Sequence, residues 1–372
     1  MKPVDPHAPP LRGSLPPEGA PFSLGRPGAE TGPHAPPLRR QRGAALLLAM
    51  LTVTLVATLA ANALWQQWRA LEIERAERQR AQAAWILAGA LDWGRLILRE
   101  DARGNQTNGN PDHLGEPWAL PLEEARLSSF LAADRNNNAD NALEAFLSGE
   151  MTDLQSRLNF NNVVRERTRS QPGDNPPQPQ PGAPAARTVE ISEPDLLMLR
   201  RLYELLGLPQ AELNTASQAL LESTRLALSD PLPSRSPLLP AKLSQLAWLG
   251  ISPQSLARLE PHLTVLPQRS TLNLNTASAE AIAASLPGLD LAQARRLVSA
   301  RERTPFRSLG DAAKLLPEGP LRPNDQAHGV RSAHFEVRGR LRLDDTIIEE
   351  RSLVVRNNLD VRIVWRERFT RR

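Results

Sequence analysis

The chain has 372 residues, 41% of them hydrophobic but only 4% aromatic, so any core must rest on Leu, Ala, Val and Ile. It contains no cysteine, which excludes disulfides, thiol catalysis and Cys-based zinc sites. The formal charge of +4 is concentrated at one end: residues 1–43 hold six basic and three acidic residues, leaving 39 and 38 in the remainder, too even a balance for long-range attraction to a phosphate backbone.

Residues 1–38 are rich in Pro and Gly, and the hexapeptide HAPPLR occurs at 7–12 and again at 34–39. Nothing there can bury a core, so a disordered tail or a start site further downstream both account for it. Arg39, Arg40 and Arg42 then precede Gly43, and the stretch 44–64 carries no charge. At about 1.5 Å per residue it spans roughly 30 Å, the thickness of a bilayer core. The flanking arginines place the N-terminus in the cytoplasm and the bulk of the chain outside, with Trp65 and Trp68 at the far interface. A buried core helix and a cleaved signal peptide are the rivals, but a signal peptide has a shorter apolar stretch. Residues 66–100 also lack Pro, and Leu71, Ala76, Ala83, Leu87, Leu91 and Ile97 form one stripe. One helix is therefore expected to run from the membrane into a soluble domain.

Residues 101–122 read as loop and 127–147 as a mixed segment. Asp134 to Asp140 alternates oxygen-bearing side chains in the manner of a calcium loop, yet Ala139 stands where a Gly is needed and Ala145 where a bidentate Glu is needed. Residues 149–164 alternate as a strand, and 171–184 is a Pro-rich linker. Short helices are expected at 194–206, 216–228, 241–249, 253–260, 278–285 and 291–302. The pentapeptide LNTAS occurs at 213–217 and 274–278, where its Asn or Thr can cap a following helix. At the C-terminus, 334–343, 346–356 and 360–366 alternate, with Asp344-Asp345 and Asn357-Asn358 as turns, predicting a three-stranded meander. His7, His34, His113, His262, His328 and His334 form no metal or catalytic spacing, and no nucleotide-binding loop is present.

The segment Arg42-Gly43-Ala44-Ala-Leu-Leu-Leu48 resembles the processing site of type IV pilin-like proteins, the pseudopilins. That family carries Glu at the fifth mature position, where Leu48 stands here. The large minor pseudopilins of type II secretion, the GspK family, lack it too. Further likenesses to that family are Asp112 to Ala119, Asp153-Leu-Gln-Ser-Arg-Leu-Asn-Phe-Asn-Asn162, Pro261 to Pro267 followed by Leu272 to Ser278, and Ser332 to Phe335. The family's acidic segment after Leu226 is reduced here to Asp230.

The resemblance implies an α+β fold: a long N-terminal transmembrane helix on a small antiparallel sheet from about 150–164 and 334–367, with an inserted all-α domain. The implied divisions are a leader at 1–43, a transmembrane part at 44–64, the first part of the helix–sheet domain at 65–165, a linker at 166–187, the helical domain at 188–318 and closing strands at 319–372. It also implies cleavage after Gly43 by a prepilin peptidase, N-methylation of Ala44, and single-pass residence in the inner membrane. The function implied is a non-enzymatic tip component of the pseudopilus, with GspI, GspJ and GspH as partners, no catalytic residues, no metal and no cofactor; calcium known in the family lacks its ligand region here. A second resemblance competes. Residues 274–306 resemble the helix-hairpin-helix of competence-type DNA receptors, although Asp290 replaces a hairpin Gly. A DNA receptor and a minor pilin of a type IV pilus are therefore the alternatives.

Overall fold

The computed structural model describes residues 42–127, 145–168, 187–229, 238–317, 322–343 and 346–371. The Asp134–Asp140 loop, Asp230 and the Asp344-Asp345 turn lie outside them. The chain divides into two units, Met1–Glu72 and Ile73–Arg372.

Helix α1 runs from Arg42 to Asn108, 67 residues. It is longer than the sequence suggested, because 101–108, read as loop, continues it. Ala102 and Asn105 are buried there, and that burial outweighs the weak helix propensity of Gly104 and Asn105. The helix closes on Gly109, whose left-handed φ of 66° lets its N–H bond the Asn105 carbonyl at 2.9 Å.

Five antiparallel strands form the sheet: β1 (Leu122–Arg126), β2 (Ala145–Asp153), β9 (His334–Leu343), β10 (Thr346–Asn357) and β11 (Asp360–Arg371), in the order β1-β2-β9-β10-β11. The predicted meander is present, and Asn358 makes its second turn at φ 54°. Strand β1 was not expected. Its burial pattern gives no clean alternation, since it forms one edge of the sheet.

Within Ile73–Arg372, α1 lays Ala83, Leu87, Leu91 and Leu98 on the sheet, against Leu147, Leu341, Phe335, Val337 and Val354. The spacings of four and seven keep one helix face inward. Each buried Leu contributes about 1.5–3 kcal/mol. Glycines allow the close approach: a Cβ on Gly339 would lie 3.2 Å from Leu87 Cδ2, and one on Gly94 would lie 3.3 Å from Val337 Cγ1.

The strand expected over 149–164 is broken. Asp153 and Asn159 each turn their side chains back onto the backbone, accepting from Gln155 N at 2.7 Å and Asn161 N at 3.1 Å. These side-chain caps start two 3-10 turns, Leu154–Ser156 and Phe160–Val163. Between them lies β3 (Leu158–Asn159), and β4 (Val164–Thr168) follows. β4 pairs antiparallel with β5 (Arg187–Ile191). The expected 166–187 linker is therefore shorter, with its two ends in a ladder; 169–186 lie outside the described residues.

Beyond β5 come α2 (Glu193–Leu205), α3 (Gln210–Ala227), a 3-10 helix at Leu243–Leu249, α4 (Pro253–Leu259), α5 (Ala279–Ser285), α6 (Leu291–Arg303) and α7 (Leu309–Ala313). Short strands β6 (Leu263–Thr264) and β7 (Leu272–Asn273) pair parallel with β3 and β8 (His328–Gly329) respectively. One apolar core holds this helical module, and it includes Leu158, Phe160 and Val163. The module thus begins before the linker, not at 188. Of the two LNTAS segments, 213–217 lies inside α3 with Leu213, Ala216 and Ser217 buried, so it caps nothing. The second leads into α5, but the cap is Ser278, whose Oγ accepts from Ala281 N at 3.2 Å.

Candidate functional site

Gly43, Ala44 and Leu48 lie at the beginning of α1, and every residue from Gly43 to Trp68 is exposed. The helix is long and apolar enough to cross a membrane. Its hydroxyls are satisfied within it. Thr52 and Thr58 donate to the carbonyls of Ala49 and Leu55 at 2.9 and 2.8 Å, and Thr54 donates to that of Leu51 at 2.9 Å. Threonine hydroxyls bonded back to the helix in this way suit hydrocarbon. Trp65 and Trp68 follow, their ring centroids 5.8 Å apart.

A second feature lies between α1 and the sheet. A cleft of ≈ 700 Å³ is lined by Trp85, Gly89, Trp93, Leu120, Leu122 and Met151, among others. Trp85 is 79% exposed and Trp93 52%. Their spacing of eight puts both on one helix face with Gly89 between them. The cleft is open and mostly apolar, which suits protein contact.

The third feature is polar and buried. The loop leaving α1 begins at Asp112, which is fully buried. Its carboxylate accepts from Ser332 N at 2.6 Å, from an Arg356 amino group at 2.5 Å and from Asn105 Nδ2 at 3.2 Å. Arg356 also bonds Asp101 and donates to the Ser332 carbonyl at 2.8 Å. Its guanidinium lies over the Phe335 ring, 4.9 Å from the centroid. Trp118 packs edge-on against the same ring, centroids 5.1 Å apart, and donates Nε1–H to Glu116 at 2.7 Å. Burial pushes Glu116 up to about 7, with nearby Asp101 adding to the rise, and raises Asp112 despite Arg356.

Asp153, at the end of β2, continues this junction. It accepts from Ser332 Oγ at 2.6 Å, Thr276 Oγ1 at 2.5 Å and Asn273 Nδ2 at 3.2 Å. Asn273 also donates to the Asp112 carbonyl at 3.2 Å. Next to it, Asn159, Asn161 and Asn162 bond the backbone of Leu266, Gln268 and Ser270. Asparagine suits this task because one side chain both donates and accepts. The stretches beginning at Asp112, Asp153, Leu272 and Ser332, scattered over more than half the chain, therefore meet in one place.

Sequence reading identified those stretches but missed Asp101, Asn105 and Arg356. The available signal was polarity at inward positions. Glu350 and Arg356 alternate with exposed or half-buried neighbours on β10, yet both are buried, as is Ser352. Oxygens of Asp101, Asp112 and Glu116 lie within 4.8 Å of one another, a spacing that suits a cation. Arg356 supplies positive charge to two of them, and Glu116 has the His113 N–H at 2.9 Å and Trp118 as donors. The trio reads as an ion-pair network.

The hairpin between α5 and α6 turns at Gly288, φ 80°. Asp290 then caps α6, accepting from Gln293 N at 2.7 Å while Gln293 Oε1 accepts from Asp290 N at 3.2 Å. A carboxylate thus occupies the position a phosphate would take. The described histidines have structural contacts. His328 Nε2 lies 3.1 Å from Ser285 Oγ, with its pKa lowered by burial to about 4, and His262 Nδ1 lies 2.8 Å from Ser278 Oγ.

Residues 272–331, which include Asn273 and Thr276, match the family model described as type II secretion system, protein K. A type II secretion system protein K of Pseudomonas aeruginosa is 28% identical over 325 residues, covering 82% of this chain and 86% of its own. That of Pectobacterium carotovorum subsp. carotovorum is 24% identical, with 88% and 96% covered. A chain of the crystal structure of the GspK-GspI-GspJ complex from enterotoxigenic Escherichia coli has a similar fold, with a TM-score of 0.52 and 16% identity; 79% of this chain and 98% of that one are covered.

Proposed function

We propose that this chain, which is similar over most of its length to type II secretion system proteins K, is a minor pseudopilin acting as a non-enzymatic scaffold at the tip of a short pseudopilus. The observation that carries the reading is the buried junction around Asp112, Asp153 and Arg356, which fastens a large helical module to the helix–sheet body. A subunit carrying so bulky an addition leaves little room for a further subunit stacked above it. The end of the filament, where assembly starts, suits it best.

The complex formed by its structural relative suggests GspI and GspJ as partners, and the family resemblance adds GspH. The open apolar cleft beside Trp85 and Trp93 is suited to such contacts. The exposed apolar helix supports a single-pass anchor in the inner membrane, N-terminus in the cytoplasm. In this reading a prepilin peptidase cuts between Gly43 and Ala44, and Ala44 receives the N-methyl group. Leu48 lacks the carboxylate that would pair with a neighbour's terminal amine, which fits a subunit with no neighbour above it. The capped N-terminus of α6 weighs against the DNA-receptor reading.

Mass spectrometry of the protein from membranes of a peptidase-competent strain tests the assignment. N-methyl-alanine at position 44 is the expected terminus. An intact 1–43 segment would refute the processing scheme, and failure to co-purify with GspI and GspJ would refute the assembly role.

A further inference from the structure

Asp153 is 1% exposed, and its carboxylate is where three separate parts of the chain meet. Thr276 Oγ1 at 2.5 Å and Asn273 Nδ2 at 3.2 Å come from the segment that leads into α5 of the helical module. Ser332 Oγ at 2.6 Å comes from the turn that enters β9, and Gln155 N at 2.7 Å from the turn after β2. Every contact is a donor, so the bonding set is complete for the charged carboxylate. No cation pairs with it among the described residues. The charged groups that face it are Asp112, from the loop after α1, which opposes ionisation, and Arg157 on its own segment, which favours it. Behind Asp112 stand Asp101 of α1 and Arg356 of β10, bound to each other, and Glu116.

We propose that the Asp153 junction is a proton-responsive latch between the helical module and the sheet, closed most firmly when the carboxyl is protonated and released more often once it is charged. The chemistry allows both states. When Asp153 takes a proton, the Thr276 hydroxyl rotates to accept it and turns its own proton toward the Asn273 carbonyl, 3.5 Å away. When Asp153 is charged, four donors hold it, but among the described residues no ion pair offsets its removal from water. Burial accordingly pushes Asp153 up to about 6 from its ordinary 3.8, with the bonds from Ser332 and Thr276 opposing the rise. The closed junction binds the proton more tightly than an opened one in which Asp153 meets water. Opening is therefore rarest below about pH 4 and most frequent above about pH 6, and it rises roughly ten-fold between about pH 5 and about pH 7.5.

Hydrogen exchange of the full chain in detergent micelles reads this directly, at the amides of 272–278 and 328–334 and after correction for intrinsic exchange. The expected result is a roughly ten-fold rise in opening across that range for the native protein, and little or none for Asp153→Asn. Should Asp153→Asn fail to fold, Ser332→Ala serves instead. It removes one donor from the charged form and should move the rise to higher pH. Equal opening at both pH values in the native protein, the same rise in Asp153→Asn, or no displacement in Ser332→Ala would overturn the latch.

Discussion

The guanidinium of Arg356 lies 2.5 Å from the carboxylate of Asp112, although 244 positions separate the two residues. Both side chains are at most 6% exposed, and the same guanidinium reaches Asp101. One cation on the sheet thus holds both the last turns of α1 and the loop that leaves it. Removing it strands two buried carboxylates. Arg356→Leu should lower stability by about 3–5 kcal/mol, whereas Arg356→Met combined with Asp112→Asn should lose distinctly less, since fewer charges are left unpaired. Thermal unfolding followed by circular dichroism at neutral pH would show the difference; equal losses would mean the pair acts only through packing.

The pH dependence at Glu116 has a definite sign. Its pKa is raised to about 7 from 4.5, chiefly by burial. The folded state therefore favours the protonated form, and this contribution is fully present below about pH 4.5 and lost as pH rises through about 7. Glu116→Gln retains an acceptor for the Trp118 and His113 donors without the charge. It should stabilise the protein by about 1 kcal/mol at pH 8 and make no difference near pH 4.5, as denaturant titrations at the two pH values would record.

Gly339 tests the contact between α1 and the sheet. A Cβ there would already stand 3.2 Å from Leu87 Cδ2. Gly339→Val should cost about 1–3 kcal/mol through overpacking. Leu87→Ala in the same chain should recover part of that loss. Two additive losses would place the strain elsewhere.

The cap on α6 separates two functions. Asp290→Ala should destabilise the helical module by about 1 kcal/mol, the usual effect of losing an N-cap. The native protein should not retard duplex DNA in a gel at low salt. Retardation that weakens steeply with added salt would revive the nucleic-acid reading.

How much could be read from the residues depended on the range of the interaction. Helix α1 was legible because a long uncharged run has few alternatives in water or lipid, and the Asn357-Asn358 turn was legible from its residue types, whereas the caps at Ser278 and Asp290 were not read from the sequence. Alternation marked β9 to β11, since a strand with one wet face declares its period. The break after β2 was missed: Asp153 and Asn159 end the strand through local caps, but an alternating pattern masks them.

The amino-acid sequence by itself determined the membrane-length helix, the α+β class, the helical insertion and the family likeness, because propensity, periodicity and short motifs are local properties. Only the tertiary structure decided why the four motif stretches matter together. Asp112, Asp153, Asn273 and Ser332 are polar residues whose bonds to one another form across 59 to 220 positions. A buried polar group must be paired, but nothing in the chain's order says by which distant residue. The fold supplies Arg356, Asp101 and Asn105 to complete the junction, and so joins the last turns of α1, the sheet and the helical module.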